Sequence, residues 1–314
     1  MKNLVSIIIA TFNQSDKISE TLESVIAQTH QNWECIVVDD KSTDQTAETV
    51  IEITKKHPRI KYYLSPKEVK KGPNGARNYG IEKSTGMYVM SLDSDDLLEK
   101  KHLEKKVNLF KENPDIDGVL SKTVLINNQK EIIGYEERTI ISNNLLEDFI
   151  TLKISWYMHD IMWKRSFFEG KTLYNINLLK MLDRDFHVRM LSYMPKLLLL
   201  DDFLALYRIY NTSNSSNMSP VVAETRHRAV IDAVKILKSK ELITNKILFF
   251  YLKFQIKNVV VLYKSNNCIK LYIELFRNVF KFNAKNVFWF FRLILAYTSY
   301  KITNRGLIFI KEKQ

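Results

Sequence analysis

The chain has 314 residues, enough for one large domain or two ordinary ones, and 46% of them are hydrophobic, which permits a sizeable core. The net charge is +12, but the segment from Lys240 onward carries +11 of it, leaving +1 for the 239 residues before. Within that tail no uncharged run nears the ~18 residues of a membrane-spanning helix. The two cysteines, Cys35 and Cys268, have no partner at metal or redox spacing and point to a reducing, intracellular compartment.

The opening "MKNLVSIIIATFN" has a short apolar run and no small-residue cleavage site, so it reads as a first strand and not a signal peptide. Leu4–Ile9 is β-branched and continuously apolar, as in a strand buried on both faces. Residues 15–28 show helix spacing, with Ile18, Leu22, Val25 and Ile26 on one face. Glu34–Val38 is a second buried strand, after which Ser42 or Thr43 caps a helix running towards His57. A strand at 59–64, a helix at 74–83, a strand at 87–92 and a charged helix at 97–112 follow. That alternation predicts a mostly parallel sheet with helices on both faces.

Beyond it, 119–126 and 131–136 read as strands around an "NNQ" turn, and Trp156–Trp163 as another buried strand. "LDRDFHVRML" starts a helix with Asp183 and Asp185 near its N-terminus; 197–200 and 204–210 suggest two more strands. "NTSNSSNMSP" is a polar loop, and there is no internal repeat. His159, Trp156 and Trp163 read as core side chains, and Lys70 and Lys71 as residues of a solvated loop.

In a parallel sheet, ligands bind beyond the carboxyl ends of the strands. This brings together Thr11-Phe12-Asn13, Asp39-Asp40-Lys41-Ser42 and Asp93-Ser94-Asp95. "LDSDD" packs three aspartates into four residues, Asp93, Asp95 and Asp96. Like charges about 4 Å apart cost ~1 kcal/mol in water and more in a drier cleft. A hard divalent cation would offset that repulsion. The alternative is a solvated loop whose last aspartate, Asp96, caps the next helix. No G-x-G-x-x-G follows the first strand, which argues against a dinucleotide-dependent oxidoreductase.

"VSIIIATFNQSDKISETLESVIAQTHQNWECIVVDDKSTDQT" and "GARNYGIEKSTGMYVMSLDSDDLL" together resemble family-2 glycosyltransferases with the GT-A fold. The resemblance covers residues 4–110 strongly and 150–215 weakly. It implies a Rossmann-like α/β catalytic domain over 1–220, with a nucleotide-sugar half (1–115) and an acceptor half (116–220). A basic helical extension would occupy 221–314. It further implies Mn²⁺ or Mg²⁺ on Asp95, with Asp93 on the ribose or reaching the metal through water. Thr11, Phe12, Asn13, Asp39 and Asp40 would surround the base. Asp40 would accept the uracil N3–H and Asp39 would order the loop. Arg77 and Arg208 would lie near the diphosphate.

By the same resemblance Asp183 is the catalytic base, with Asp185 as its rival. Leu182 and Arg184 depart from the family's usual acid and aromatic there. On a helix Asp183 and Asp185 point about 200° apart, so only one can face the cleft. "YRIY" at 207–210 lacks the His that in many members is a third metal ligand. The implied reaction is inverting transfer of a sugar, from a UDP-sugar, to a glycan or lipid-linked acceptor of a surface polysaccharide. Rival readings are a nucleotidyltransferase and a non-catalytic, membrane-associated assembly protein that keeps the fold.

The tail repeats basic residues at helical spacing: Lys246, Lys253, Lys257 and Lys264, then Lys270, Arg277, Lys281, Lys285 and Arg292. Aromatic runs lie between them. Such stripes suit helices lying on an anionic membrane surface, which implies a peripheral protein on the inner face of the cell membrane. The competing expectation is a bundle packed on the catalytic domain or on a second copy in a homo-oligomer. No nucleic-acid recognition motif accompanies the charge.

Overall fold

The computed structural model describes residues 3–136, 140, 142–210, 219–262 and 295. The chain forms two compact units, residues 1–177 with 182–213, and residues 178–181 with 214–314.

The first unit opens with β1 (Val5–Thr11), α1 (Ile18–Ile26), β2 (Trp33–Asp39), α2 (Thr46–Lys56), β3 (Ile60–Leu64), α3 (Pro73–Lys83) and β4 (Tyr88–Asp93). It continues with β5 (Leu97–Leu98), α4 (His102–Glu112), β6 (Gly118–Ile126), β7 (Ile132–Tyr135), α5 (Leu145–Ile150), β8 (Ile161–Lys164), α6 (Leu182–Leu191) and β9 (Leu197–Arg208). Among the described residues these nine strands make one sheet, ordered β3-β2-β1-β4-β8-β6-β9-β5 with β7 paired to β6. The first four strands are parallel, as expected. The second half is mixed: β8 joins β4 and β6 antiparallel, whereas β9 runs parallel to β6.

Both faces of the parallel half are covered. Ile7, Ile9, Cys35 and Val37 share one core with Leu22 and Val25 of α1, Val50 of α2 and Leu103, Val107 and Phe110 of α4. On the other face α3 lies so close that a Cβ on Gly80 would stand 2.5 Å from Ile8 and 3.3 Å from Val38. Trp156 and Trp163 are buried in aromatic packing, Trp163 stacking on Phe167 at 5.1 Å.

Four local expectations are corrected. The helix after Asp96 begins at His102, because Leu97 and Leu98 pair with Leu206 and Ala205 of β9 as a short strand. Asp96 therefore caps no helix. Neither Ser42 nor Thr43 caps α2; Asp44 holds the Thr46 N–H at its start while Ser42 and Thr43 bind Asn13. Trp156–Trp163 is not one strand: a 3-10 turn at Met158–Asp160 swings His159 and Asp160 inward before β8. Residues 197–208 are a single strand. Its central Asp201 and Asp202 are carried by ion pairs with Lys122 and Lys105 and by register shifts against β6.

The second unit contains α7 (Pro220–Ser239) and α8 (Asn245–Leu262). Ser219 caps α7 through the Val222 N–H, and Gln255 bonds the His227 carbonyl between the helices. Lys246, Lys253 and Lys257 lie on α8. The basic positions from Lys264 to Arg292 lie outside the described residues. Among the described residues no helix is long and apolar enough to cross a membrane.

Gly80→Ala should lower stability by about 1–3 kcal/mol in urea unfolding, since α3 must move off β1 and β2 to admit the methyl group.

Candidate active site

Thr11, Asp39 and Asp93 are the last residues of β1, β2 and β4, and the strand register puts them at one edge of the sheet. The loops beyond the first two strands are tied together. Asn13, at φ 52°, donates its N–H to Ser42 Oγ at 2.9 Å and accepts the Thr43 N–H at 2.8 Å. The Gln14 and Ser15 N–H groups bond Thr46 and Asp44. Asn13's amide oxygen is thus engaged in loop structure. Phe12 is exposed, with the Lys71 ammonium 4.6 Å from its ring centre.

Asp39 and Asp40 divide the labour. Asp39 accepts the Ser42 N–H at 2.8 Å and the Tyr62 hydroxyl at 2.9 Å, so both oxygens order the strand ends. Asp40 accepts the Gly72 N–H at 2.7 Å on one oxygen, while its other oxygen is buried and unpartnered. Burial raises its pKa, against the Gly72 N–H and the Lys71 and Lys41 charges. Gly72 sits at φ 129°, where a side chain is strained, and the space beside its Cα is open. Thr11 Oγ1 is also buried without a partner.

Arg77 of α3 is buried and links two carboxylates. Its Nη2 donates to Asp93 Oδ1 at 2.5 Å, and its Nη1 lies 3.6 Å from Asp183 Oδ1. Tyr174 lies beneath, its ring centre 5.6 Å from the guanidinium. Asp183, in the first turn of α6, keeps 44% of its side chain exposed. Desolvation raises its pKa and Asp93 adds to the rise, while Arg77 opposes it. Asp185 is buried and bonded twice to Arg189 one turn later, at 2.6 and 3.1 Å. Of the two rivals, Asp183 is the one with an accessible carboxylate.

The Asp95 pKa rises to about 6, from burial first and then from Asp96 and Asp93; the Tyr210 hydroxyl donates to it at 3.0 Å and opposes the rise. Tyr210 occupies the position of the missing histidine. Among the described residues no three His, Cys, Asp or Glu side chains converge into a ready-made cage. Two hard carboxylates under mutual repulsion still fit a divalent cation whose remaining ligands come from phosphate and water.

Arg208 needs a correction. Expected at the diphosphate, its guanidinium is wholly buried and committed. It donates to the Asp95 carbonyl at 3.0 Å, to Glu20 at 2.6 Å and to the Asn127 and Asn128 carbonyls at 3.4 and 2.9 Å. Its own N–H donates to Asp96 Oδ1 at 2.9 Å. The other Asp96 oxygen lies 3.1 Å from His159 Nδ1, both side chains being about 1% exposed. His159 reaches Thr123 with its far nitrogen at 3.1 Å and stacks on Tyr157, which stacks on Tyr207. Burial alone would lower the His159 pKa; Asp96, with Asp160 and Asp93, raises it to about 9. His159 is thus a core histidine, as expected, and the counter-ion of the aspartate turn. Glu20, Tyr174 and Tyr210 were missed as neighbours of the site. For Tyr210 the signal was its place in the motif, and for the other two there was none.

With this geometry the family is clear. Residues 6–170, just over half of the chain, match the glycosyl transferase family 2, and the chain belongs to that family. Uncharacterized Rickettsia glycosyltransferases are 41–43% identical over 109 residues, which is 35% of this chain and 15–17% of their own length. The UDP-Glc:alpha-D-GlcNAc-diphosphoundecaprenol beta-1,3-glucosyltransferase WfgD of Escherichia coli is 36% identical over 147 residues, 46% of this chain and 56% of WfgD. The fold is a GT-A-like one. A crystal structure of S. aureus TarS 1-349 in complex with UDP-GlcNAc superposes with TM-score 0.61 at 17% identity, covering 95% of this chain and 91% of that one. A Pyrobaculum calidifontis mannosyltransferase, PcManGT, in complex with GDP-Man and Mn2+ superposes with TM-score 0.53 at 16% identity, covering 98% and 85%.

His159→Leu should cost about 3–5 kcal/mol in urea unfolding near neutral pH, because Asp96 then stays buried without its counter-charge. The raised His159 pKa stabilises the fold fully below its ordinary value of 6.5. That contribution fades as pH climbs through about 9, and the variant should lack the fading component.

Proposed function

We propose that this protein is an inverting glycosyltransferase that moves a sugar from a uridine-diphosphate sugar to a hydroxyl of a glycan or lipid-linked acceptor in surface polysaccharide synthesis. The observation that carries this reading is the Asp93–Arg77–Asp183 line, which sets an exposed carboxylate beside the aspartate turn at the strand edge. The names of WfgD and of the TarS complex, both citing UDP-sugars, support the donor class. WfgD's diphosphoundecaprenol substrate supports a lipid-linked acceptor.

In this reading Asp183 takes the proton of the attacking acceptor hydroxyl. The oxygen forms its bond to the anomeric carbon from the side opposite the nucleotide, and the nucleoside diphosphate leaves with the old bonding pair. Desolvation raises the Asp183 pKa above that of an ordinary aspartate, the direction that suits a general base. Arg77 keeps Asp183 and Asp93 in fixed relation and holds positive charge near the departing phosphates. Asp40 accepts the uracil N3–H on its unpartnered oxygen, Thr11 and Phe12 border the base, and Asn13 and Asp39 hold the loops. Asp95 and Asp93 would hold Mn²⁺ or Mg²⁺, which when bound neutralises charge on the diphosphate as a Lewis acid. Mn2+ in the PcManGT complex supports that assignment. The basic tail would keep the enzyme on the inner, anionic face of the cell membrane, next to such an acceptor.

The test combines binding and turnover. UDP at 100 times its dissociation constant should add about 2.7 kcal/mol of stability in thermal unfolding, with Mn²⁺ required. Asp95→Ala should abolish that shift. Asp183→Asn should keep it and lose about 10²–10⁴-fold in UDP release from UDP-sugars. No shift with any nucleotide would favour a non-catalytic assembly role, and pyrophosphate release a nucleotidyltransferase.

A further inference from the structure

Asp40 is not the only unsatisfied group at its end of the sheet. The Ser65 hydroxyl is also buried without a partner, and Ser65 as a whole is about 2% exposed. Parallel pairing aligns Asp39 with Leu64, and the Ser65 N–H bonds the Asp39 carbonyl at 2.8 Å, so the ladder continues to this point. Asp40 and Ser65 immediately follow β2 and β3, and the continued pairing makes them lateral neighbours on one face. Neighbouring strands lie about 4.8 Å apart. Alternation puts Val38 and Tyr63 on that face too. It is the face covered by α3, through the approach of Gly80 to Val38 and the contact of Tyr63 with Tyr79. The open space beside Gly72 adjoins it, since the Gly72 N–H is bonded to Asp40.

A carboxylate oxygen can only accept, whereas a hydroxyl can donate. Set side by side and both unsatisfied, they match a ligand edge that offers an N–H next to a carbonyl oxygen. We infer that Ser65 is a base-reading residue: its hydroxyl donates to the pyrimidine O4, the carbonyl beside the N3–H that Asp40 accepts and the one that cytosine lacks. This rests on the uridine reading of the site and extends it, because it assigns discrimination to a residue outside the motifs. With the ribose and diphosphate fixing the register of the base, cytosine would turn its N3 lone pair towards the Asp40 carboxylate. Buried groups left unpaired by the wrong base are what make such rejection strong.

The experiment is titration of UDP and CDP, with Mn²⁺ present, into the full chain and into Ser65→Ala and Ser65→Thr, followed by calorimetry. The wild type should prefer UDP. Ser65→Ala should lose about tenfold in UDP affinity, the worth of one hydrogen bond. It should change little for CDP, so that the UDP:CDP ratio falls by about tenfold while Asp40 keeps the rest of the preference. Ser65→Thr, which keeps the hydroxyl, should retain the ratio. Equal losses for both nucleotides, or an unchanged ratio in a folded Ser65→Ala, would overturn the role of Ser65 and leave the donor site standing. Failure of the wild type to bind either nucleotide would overturn the donor reading itself.

Discussion

Crowded negative charge is the constraint on which this structure turns. The parallel register brings Asp39, Asp40, Asp93, Asp95 and Asp96 to one edge of the sheet, and α6 adds Asp183 beside them. Such a cluster is stable only if positive charge lies within a few ångströms in a medium less screening than water. Arg77, His159 and Arg208 supply it from beneath, and all three are buried. Each cation has a distinct place. Arg77 joins Asp93 to Asp183, His159 neutralises Asp96, and Arg208 grips the backbone at Asp95 while bonded to Glu20. Asp93, Asp95 and Asp183 are the carboxylates of the cluster that stay partly exposed.

Below this layer the same logic continues into the core. Asp160 accepts from Thr123 and from the Tyr157 N–H, and its carbonyl takes the buried Lys106 ammonium at 2.6 Å. Burial brings Lys106 down to about 7. The interior of the second half of the sheet is therefore a polar seam between apolar layers, which explains why β8 is short and preceded by a 3-10 turn. The turn points both His159 and Asp160 at partners that a regular strand would have faced in opposite directions.

Much of the fold and part of the site were legible in the sequence. Continuous apolar runs gave the parallel strands to within a residue or two, because strands buried on both faces need little else. The aspartate turn and the Asp39-Asp40 pair were legible because strand ends in such sheets gather at one edge. What was hidden depended on distant pairing. Leu97-Leu98 read as helix because their β9 partners lie over a hundred residues away. Arg208 read as a ligand-facing cation because its acceptors are backbone carbonyls and a glutamate on α1, which no local pattern reveals. The choice between Asp183 and Asp185 was more accessible than it looked. Arg189 stands four residues after Asp185, the spacing of a helical ion pair, and the paired Asp185 side chain is buried.

The contact between Arg208 and Glu20 spans 188 residues, nearly the whole of the first unit. Such a closure carries a large chain-entropy cost that only the finished sheet can offset. Until β9 takes its place, Glu20, Asp96 and the carbonyl of Asp95 lack their shared donor. The aspartate turn therefore has its full set of hydrogen bonds only once residue 208 is in place. Assembly of the cleft thus waits for nearly the last residue of its unit, and a fragment ending earlier would carry every motif of the first half without the geometry that gives the motifs use.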